Sequence, residues 1–237
     1  MKKETVFQRY EFKYLLTRGQ QARLLSAAGA RLRPDEYSHS SIRNLYLDTP
    51  DFRLIRRSLE KPVYKEKLRL RAYGTPTDSS PVFLEIKKKY DGVVYKRRVS
   101  TDFAQAMRFL TEGIPPESGD YVARQVTAEM THMIRRDGLI PRAAVFYDRR
   151  AFHCADDPEL RLTLDGNIRY RLGDLDLRNG TDGDTIPGQP FRIMEIKSAS
   201  SIPLWLAGTL SELGIHPGSF SKYGSVYKQR FQDLCTT

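Results

Sequence analysis

A chain of 237 residues suits one large domain or two small ones, and its 39 Lys and Arg against 29 Asp and Glu leave a formal net charge of +10. That excess points to a polyanion: nucleic acid, an acidic membrane surface or phosphorylated small molecules. Cys154 and Cys235 stand far apart without CxxC spacing, no run approaches the roughly 18 apolar residues of a membrane span, and MKKETVFQRYEFKY breaks its apolar residues with charges, so a disulfide scaffold, a thiolate metal site, a spanning helix and a signal peptide are excluded and a reducing cytoplasm is the default.

Residues 7 to 16 alternate as a strand, with Arg9, Glu11 and Lys13 on one face and Tyr10, Phe12 and Tyr14 on the other. Thr17 is placed to cap a helix reaching about Leu32, with Pro34 beyond its end. Residues 41 to 49 form a strand in which Ile42, Asn44, Tyr46 and Asp48 oppose Arg43, Leu45 and Leu47, and 50 to 60 a short helix carrying Arg53, Arg56 and Arg57. Next comes Lys67-Leu68-Arg69-Leu70-Arg71, which as a strand puts three cations on one face and Leu68, Leu70 and Ala72 on the other. Same-face residues lie about 6.6 Å apart, so the cations line about 13 Å. Such a row is either a solvated face or one that something anionic fills.

GTPTDSSP (74 to 81) is rich in turn residues. Residues 82 to 89 carry Phe83, Glu85, Lys87 and Lys89 on one face, Tyr90-Asp91-Gly92 signals a hairpin, and 93 to 100 return with Val94, Lys96 and Arg98 together. Helical periodicity covers 102 to 112 and 118 to 137, where Val122, Val126, Met130 and Met133 mark a core stripe. Residues 143 to 152 form a strand with Val145, Tyr147 and Arg149 in register. In 159 to 171, Arg161, Thr163 and Asp165 oppose Leu160, Leu162 and Leu164, and Asp165-Gly166-Asn167 suggests a turn or bulge. The acidic, Gly-rich 173 to 190 is a loop, 192 to 198 a strand with Glu195 and Lys197 on one face, and a helix runs from Pro203 to near Gly214. Ser221-Lys222-Tyr223 sits in a loop before a C-terminal helix.

With no repeat or linker, the chain is expected to be a single α+β domain over residues 1–237 with about eight antiparallel strands. Most strands pair an apolar face with one carrying Arg or Lys, which fits an open sheet with a wet charged face or a barrel lined with charge and jacketed by helices. Phe12, Tyr46, Phe83 and Tyr147, which supply bulk for both faces, and the apolar stripes of the helices favour the barrel. Glu11, Glu85 and Glu195 lie among these cations either as plain Glu–Lys pairs or as ligands of Mg²⁺ or Mn²⁺ shared with substrate phosphates. A P-loop is absent, the four histidines lack metal-ligand spacing, and Ser221 beside Lys222 reads as a phosphate contact rather than a nucleophile pair. The basic residues alternate along strands instead of lining a helix or an aromatic RNA-binding motif, which speaks against nucleic acid.

Eight pieces in order, RYEFKY (9–14), NLYLDT (44–49), KLRLRAYG (67–74), FLEIKKK (83–89), YDRRAF (147–152), LRLTLDGNI (160–168), MEIK (194–197) and FSKYG (220–224), together resemble the catalytic domain of the vacuolar transporter chaperone (VTC) family. These are polyphosphate polymerases within the triphosphate tunnel metalloenzyme (CYTH-like) superfamily. The resemblance implies an antiparallel barrel whose tunnel cradles polyphosphate, transfer of the γ-phosphate of ATP to a growing chain, and dependence on Mn²⁺ or Mg²⁺. It carries phosphate gripping onto Lys13, Arg69, Arg71, Lys87, Lys96, Arg149, Arg161 and Lys222, and metal binding onto Glu195. Arg57, one residue off in spacing, joins Lys197 and Ser221 as substrate contacts. The related hydrolases and cyclases carry Glu-x-Glu-x-Lys on the first strand. Here Arg9 replaces the first Glu, which argues against a tunnel triphosphatase. The phosphate-sensing domain and membrane helices of the eukaryotic complex have no counterpart, so export would require a separate membrane protein holding the chain at the inner face of a membrane. An ATP-dependent polymerase, a triphosphate hydrolase and a non-enzymatic polyphosphate-binding module all remain compatible with these residues.

Overall fold

The computed structural model describes residues 10–91, 93–186, 191–199 and 201–235. Residues 7 to 9 of the first expected strand, with Arg9, and Gly92 of the hairpin lie outside the described residues, as do 187 to 190 of the acidic loop. The elements are β1 (Tyr10–Thr17), α1 (Arg18–Ala28), β2 (Leu32–Asp48), α2 (Arg53–Leu59), β3 (Tyr64–Tyr73), β4 (Pro81–Tyr90), β5 (Val93–Asp102), α3 (Phe103–Glu112), α4 (Tyr121–Asp137), β6 (Ile140–Cys154), β7 (Arg161–Arg171), β8 (Asp184–Thr185), β9 (Phe191–Ser198), α5 (Leu204–Glu212) and α6 (Lys222–Cys235). The strands form one antiparallel sheet in the order β1-β9-β7-β6-β2-β3-β4-β5, with two-residue β8 beside β7. The expected α+β class of about eight strands is therefore present. Among the described residues no pairing joins β1 to β5, so the ladder is not a strictly closed ring of hydrogen bonds.

The chain divides into two compact units. One comprises Met1–Ser40, Asp148–Asn167 and Gly188–Phe220, the other Ser41–Tyr147, Ile168–Pro187 and Ser221–Thr237. The first unit packs Leu24 and Ala28 of α1 and Leu206 and Leu210 of α5 on Tyr14, Leu16, Leu162, Leu164, Met194 and Ile196 of its strands. Its helix α1 starts where expected, because Thr17 and Gln20 form a reciprocal capping box. The second unit packs Phe103, Phe109, Val126, Met130 and Met133 of α3 and α4 on Leu68, Leu70, Leu84, Ile86 and Val99. Asp102 and Asp120 cap these two helices through the backbone N–H groups of Gln105 and Val122. In each unit the helices cover the apolar strand face and leave the charged face to the other side, the physical meaning of the period-2 alternation.

Several expectations need correction. Helix α1 ends at Ala28, where Gly29 takes a left-handed φ of 51°, rather than near Leu32, and the polar run from Leu32 to Ser40 is strand. That half of β2 is mostly exposed, so it lacks the apolar face that signals a strand. Val122 is exposed because the first turn of α4 overhangs the core that Val126, Met130 and Met133 fill. Of the turn or bulge suggested at Asp165-Gly166-Asn167, the turn is absent: β7 runs through it, with only Asn167 left-handed at φ 52°. Finally, α6 begins at Lys222, so the Ser221-Lys222-Tyr223 loop is a helix start.

Candidate functional site

In the second unit, cross-strand register builds a basic face. Arg69 of β3 lies opposite Tyr46 of β2 and Glu85 of β4, Arg71 opposite Asn44 and Phe83, and Lys67 opposite Lys87. Across the next ladder Glu85 faces Arg98 of β5, and Lys87 faces Lys96. Directly opposed like charges destabilise a sheet by themselves. Glu85 is the carboxylate at the centre: Arg69 Nε donates to its Oε2 at 2.8 Å, Lys96 Nζ lies 2.6 Å from Oε1, and Arg71 Nε lies 3.8 Å from Oε2. Burial opposes ionisation of Glu85, but Arg69, Arg71 and Lys96 outweigh it and hold its pKa at about 2. Burial likewise opposes ionisation of the Tyr46 phenol, yet Arg69, Lys67 and Arg71 lower its pKa. The Lys96 ammonium is shifted down, because burial and the two arginines outweigh Glu85.

The start of α6 completes this face. Lys67 Nζ donates to Ser221 Oγ at 3.2 Å, and Lys222 Nζ lies 4.4 Å from the Tyr147 ring centroid. Tyr223 stacks on Tyr46 at 4.6 Å and donates its hydroxyl to Asp48 at 3.0 Å. Asp48 is fully buried and also accepts the backbone N–H groups of Leu54 and Ile55, which starts α2. A Cβ at Gly224 would lie 3.0 Å from Leu59 Cδ2 and 3.1 Å from Ser221 Cβ, so the final glycine of FSKYG keeps α6 close to α2. Arg57 is exposed on α2.

In the first unit, β1, β9 and β7 lay out a three-by-three grid. Lys197 stands between Glu11 and Arg161, Glu195 between Lys13 and Thr163, and Ile193 between Leu15 and Asp165. Lys13 Nζ lies 3.3 Å from Glu11 Oε1 and 3.5 Å from Glu195 Oε1, while Lys197 Nζ lies 3.7 Å from Glu195 Oε2. Burial lowers the Lys13 pKa, but the two glutamates more than offset that and raise it. Arg149 is clamped by fully buried Asp165, through Nε–Oδ1 at 2.6 Å and Nη2–Oδ2 at 2.7 Å. Gly166 leaves room for a guanidinium, since a Cβ there would lie 2.7 Å from Arg192.

Within each unit, then, the structure gathers most of the residues singled out in the sequence: Arg69, Arg71, Lys87, Lys96, Glu85, Ser221 and Lys222 in one, Glu11, Lys13, Arg161, Glu195 and Lys197 in the other. Sequence reasoning passed over Asn44, Arg98, Asp165 and Thr163 as site residues. Asn44 accepts from Arg71 Nε at 3.1 Å, and the buried Thr163 hydroxyl opposite Glu195 has no hydrogen-bond partner among the described residues. Their signal is register, which alternation within one strand does not carry. Among the described residues no group of three or more His, Cys, Asp and Glu gathers. Glu11 and Glu195 are oxygen donors of the kind a hard divalent cation takes, both paired with Lys13, and the Thr163 hydroxyl stands opposite Glu195 in register. The oxygens of Glu85 are instead engaged by Arg69 and Lys96.

A profile of the VTC domain matches residues 8–231. The chain belongs to the VTC domain family. This VTC domain is 23% identical over 239 residues to vacuolar transporter chaperone complex subunit 4 of Schizosaccharomyces pombe, a match covering 83% of the chain and 33% of that protein. The chain thus spans about a third of the length of the curated relative it matches. In fold it is similar to a candidate adenylate cyclase from Bacillus halodurans, with a TM-score of 0.55 at 16% identity over 89% of this chain and 92% of that one. It is also similar to a candidate adenylyl cyclase from Hippeastrum described as having a dominant triphosphatase activity, with a TM-score of 0.50 at 17% identity over 94% and 96% of the two chains. At those identities the likeness concerns the fold. Among the described residues no helix is long and apolar enough to cross a membrane.

Proposed function

We propose that this VTC domain is a polyphosphate polymerase, working as one functional domain over residues 1–237. The observation that carries the reading is the set of lysines placed directly opposite one another, Lys67, Lys87 and Lys96, beside Arg69 and Arg71 with Glu85 as the carboxylate between them. A linear polyanion meets that row of cations along its length, which a single phosphate does not. Arg69 and Arg71 hold phosphate oxygens with their planar forks, and Lys67, Lys87, Lys96 and Lys222 neutralise charge as point cations. A terminal phosphate oxygen of the acceptor chain attacks the γ-phosphorus of ATP. The new P–O–P bond forms as the bond to the β-phosphate bridging oxygen breaks, and ADP leaves with that electron pair. Such a transfer needs positioning and cations more than covalent help, so a protein nucleophile is not required. Glu11 and Glu195, with Thr163 beside them, would hold Mn²⁺ or Mg²⁺, which when bound neutralises phosphate charge. Lys13, Lys197, Arg149 and Arg161 set the phosphate positions around that donor set, and Arg57 adds a contact from α2. We propose further that a separate membrane protein receives the product, with the domain on the cytoplasmic side.

Incubation with γ-labelled ATP and Mn²⁺, resolved on a gel beside Glu195→Ala and Arg69→Ala, tests this. A ladder of long labelled chains is expected from the wild type, with both variants reduced by about a hundredfold or more, as for loss of a group stabilising transferring phosphate. Free phosphate without chains would make it a hydrolase, and tight polyphosphate binding without any product would make it a binding module.

A further inference from the structure

The far end of the β3–β4–β5 ladder, in the second unit, carries a second kind of surface. Register places Tyr64 opposite Tyr90 and Tyr90 opposite Val93, with Tyr95 two residues further along the same face of β5. These side chains are 38%, 58%, 54% and 54% exposed in that order, an aromatic and aliphatic patch where a sheet end would ordinarily be polar. Val63 beside them is 64% exposed, and its carbonyl accepts the Asp91 N–H at 3.0 Å, which ties the hairpin turn to the start of β3.

Cations ring this patch. Lys65 and Lys89 stand opposite each other on the other face of the same hairpin, and Lys89 and Lys61 are each close enough to Lys65 to repel it. Lys88 and Arg97 flank Tyr95 on its own face. Of the carboxylates nearby, Glu129 is engaged by Lys88 at 2.7 Å and Arg97 at 2.6 Å, and Glu66 by Arg136 and by the Tyr64 hydroxyl at 2.6 Å, while Asp91 stands at the hairpin turn beside Tyr90. Tyrosine and valine rimmed by Lys and Arg is the composition suited to the headgroup layer of a membrane, where the rings and methyls lie at the acyl boundary and the cations meet lipid phosphates.

We propose that this end of the ladder is a membrane-docking surface that seats Tyr64, Tyr90, Val93 and Tyr95 in the interface of an anionic bilayer. Charge complementarity decides the occupant. A second copy would set one ring of cations against another, and addition of a foreign strand at the β5 edge is discouraged by Lys96, Arg97 and Arg98 along it. An anionic lipid surface answers the apolar patch and its rim together. The tyrosines lie on the strand face opposite the Glu85 cluster, whereas Lys65 and Lys89 share that cluster's face, so the tyrosine variant is the one that separates docking from the polymerase reading.

Co-sedimentation of the full chain with phosphatidylcholine vesicles, with and without phosphatidylserine, tests it at about 0.15 M salt. Binding is expected only with phosphatidylserine, weakened at least tenfold both in Tyr90→Ser/Tyr95→Ser and in Lys65→Gln/Lys89→Gln, with wild-type ATP turnover in the tyrosine variant. Equal binding to both vesicles, or none, overturns the proposal. So does phosphatidylserine binding that survives loss of the tyrosines, which would reduce the effect to general basic charge. Concentration-dependent self-association in sedimentation velocity, abolished by the tyrosine variant, would replace the bilayer with a second copy. As a readout that needs no loss of function, Tyr90→Trp should shift its fluorescence to the blue on adding phosphatidylserine vesicles, and an unchanged spectrum counts against docking.

Discussion

Glu85 is a buried carboxylate kept ionised by Arg69, Arg71 and Lys96, and that has a consequence for stability. Its folded pKa, about 2, lies below the ordinary 4.5, so the ionised form stabilises the fold. The contribution is fully present above the unfolded value and is lost as pH falls from about 4.5 through 2; a shift of that size corresponds to on the order of 3 kcal/mol. Glu85→Gln should therefore lower the melting temperature at pH 7 and flatten the pH dependence of urea unfolding between pH 5 and 2; equal slopes for the two proteins would contradict it. Thr163 allows the opposite kind of test, since its buried hydroxyl has no hydrogen-bond partner among the described residues. Thr163→Val should leave stability unchanged or improved, because an unsatisfied hydroxyl costs free energy where it is buried. Mn²⁺ affinity, followed by the free-ion EPR signal, should fall about tenfold, the scale for groups that support a metal ligand, while Thr163→Ser retains it. Wild-type affinity in the valine variant would remove Thr163 from the donor set. The row Lys67, Arg69 and Arg71 was legible in the sequence because a period of two is a local property. That Arg71 rests on Asn44, or that Thr163 faces Glu195, depends on register with strands distant in the chain.

At the scale of elements, Asp48 joins two helices to β2. Its carboxylate accepts from the backbone of Thr49, Leu54 and Ile55 and from the Tyr223 hydroxyl, so it caps α2 and holds the start of α6. Burial and the neighbouring Asp48 charge push the Tyr223 phenol pKa far up, which keeps that hydroxyl a donor. Asp48→Ala should cost about 2–4 kcal/mol in denaturant unfolding, a lost cap plus buried donors left unmet, and Tyr223→Phe about 1 kcal/mol. Hydrogen exchange should rise first in α2 and α6; a loss confined to β2 would put the anchor elsewhere. The two segments that carry this arrangement, NLYLDT and FSKYG, were visible in the sequence as motifs, but the bond between Asp48 and Tyr223 was not. The same limit bears on the start of α6, whose first turn is held by Ser221 accepting from Gly224. It also explains the polar half of β2, where no apolar face reports the strand. Helices α3 and α4 were legible because their stripes and Asp caps are written within one element.

For the whole molecule, the net charge of +10 matters through where the cations stand. Spread over a surface they would favour solubility and weak adhesion to any anion, with little dependence on the length of the ligand. Here Lys67, Lys87 and Lys96 face one another across adjacent strands, so a linear polyanion can meet several of them at once. Each phosphate neutralised releases a counterion, and for a flexible single chain the logarithm of affinity falls by about 0.7 per contact for each decade of salt. With about five contacts, polyphosphate affinity should drop roughly a hundredfold between about 0.05 and 0.2 M salt. Orthophosphate, which can use one or two of these cations at once, should show a much shallower slope. Titrating fluorescently labelled polyphosphate and orthophosphate competition over that range measures both. Equal slopes would mean that the cations act as separate sites, and the opposed lysines would then lose their claim to be a track for a chain.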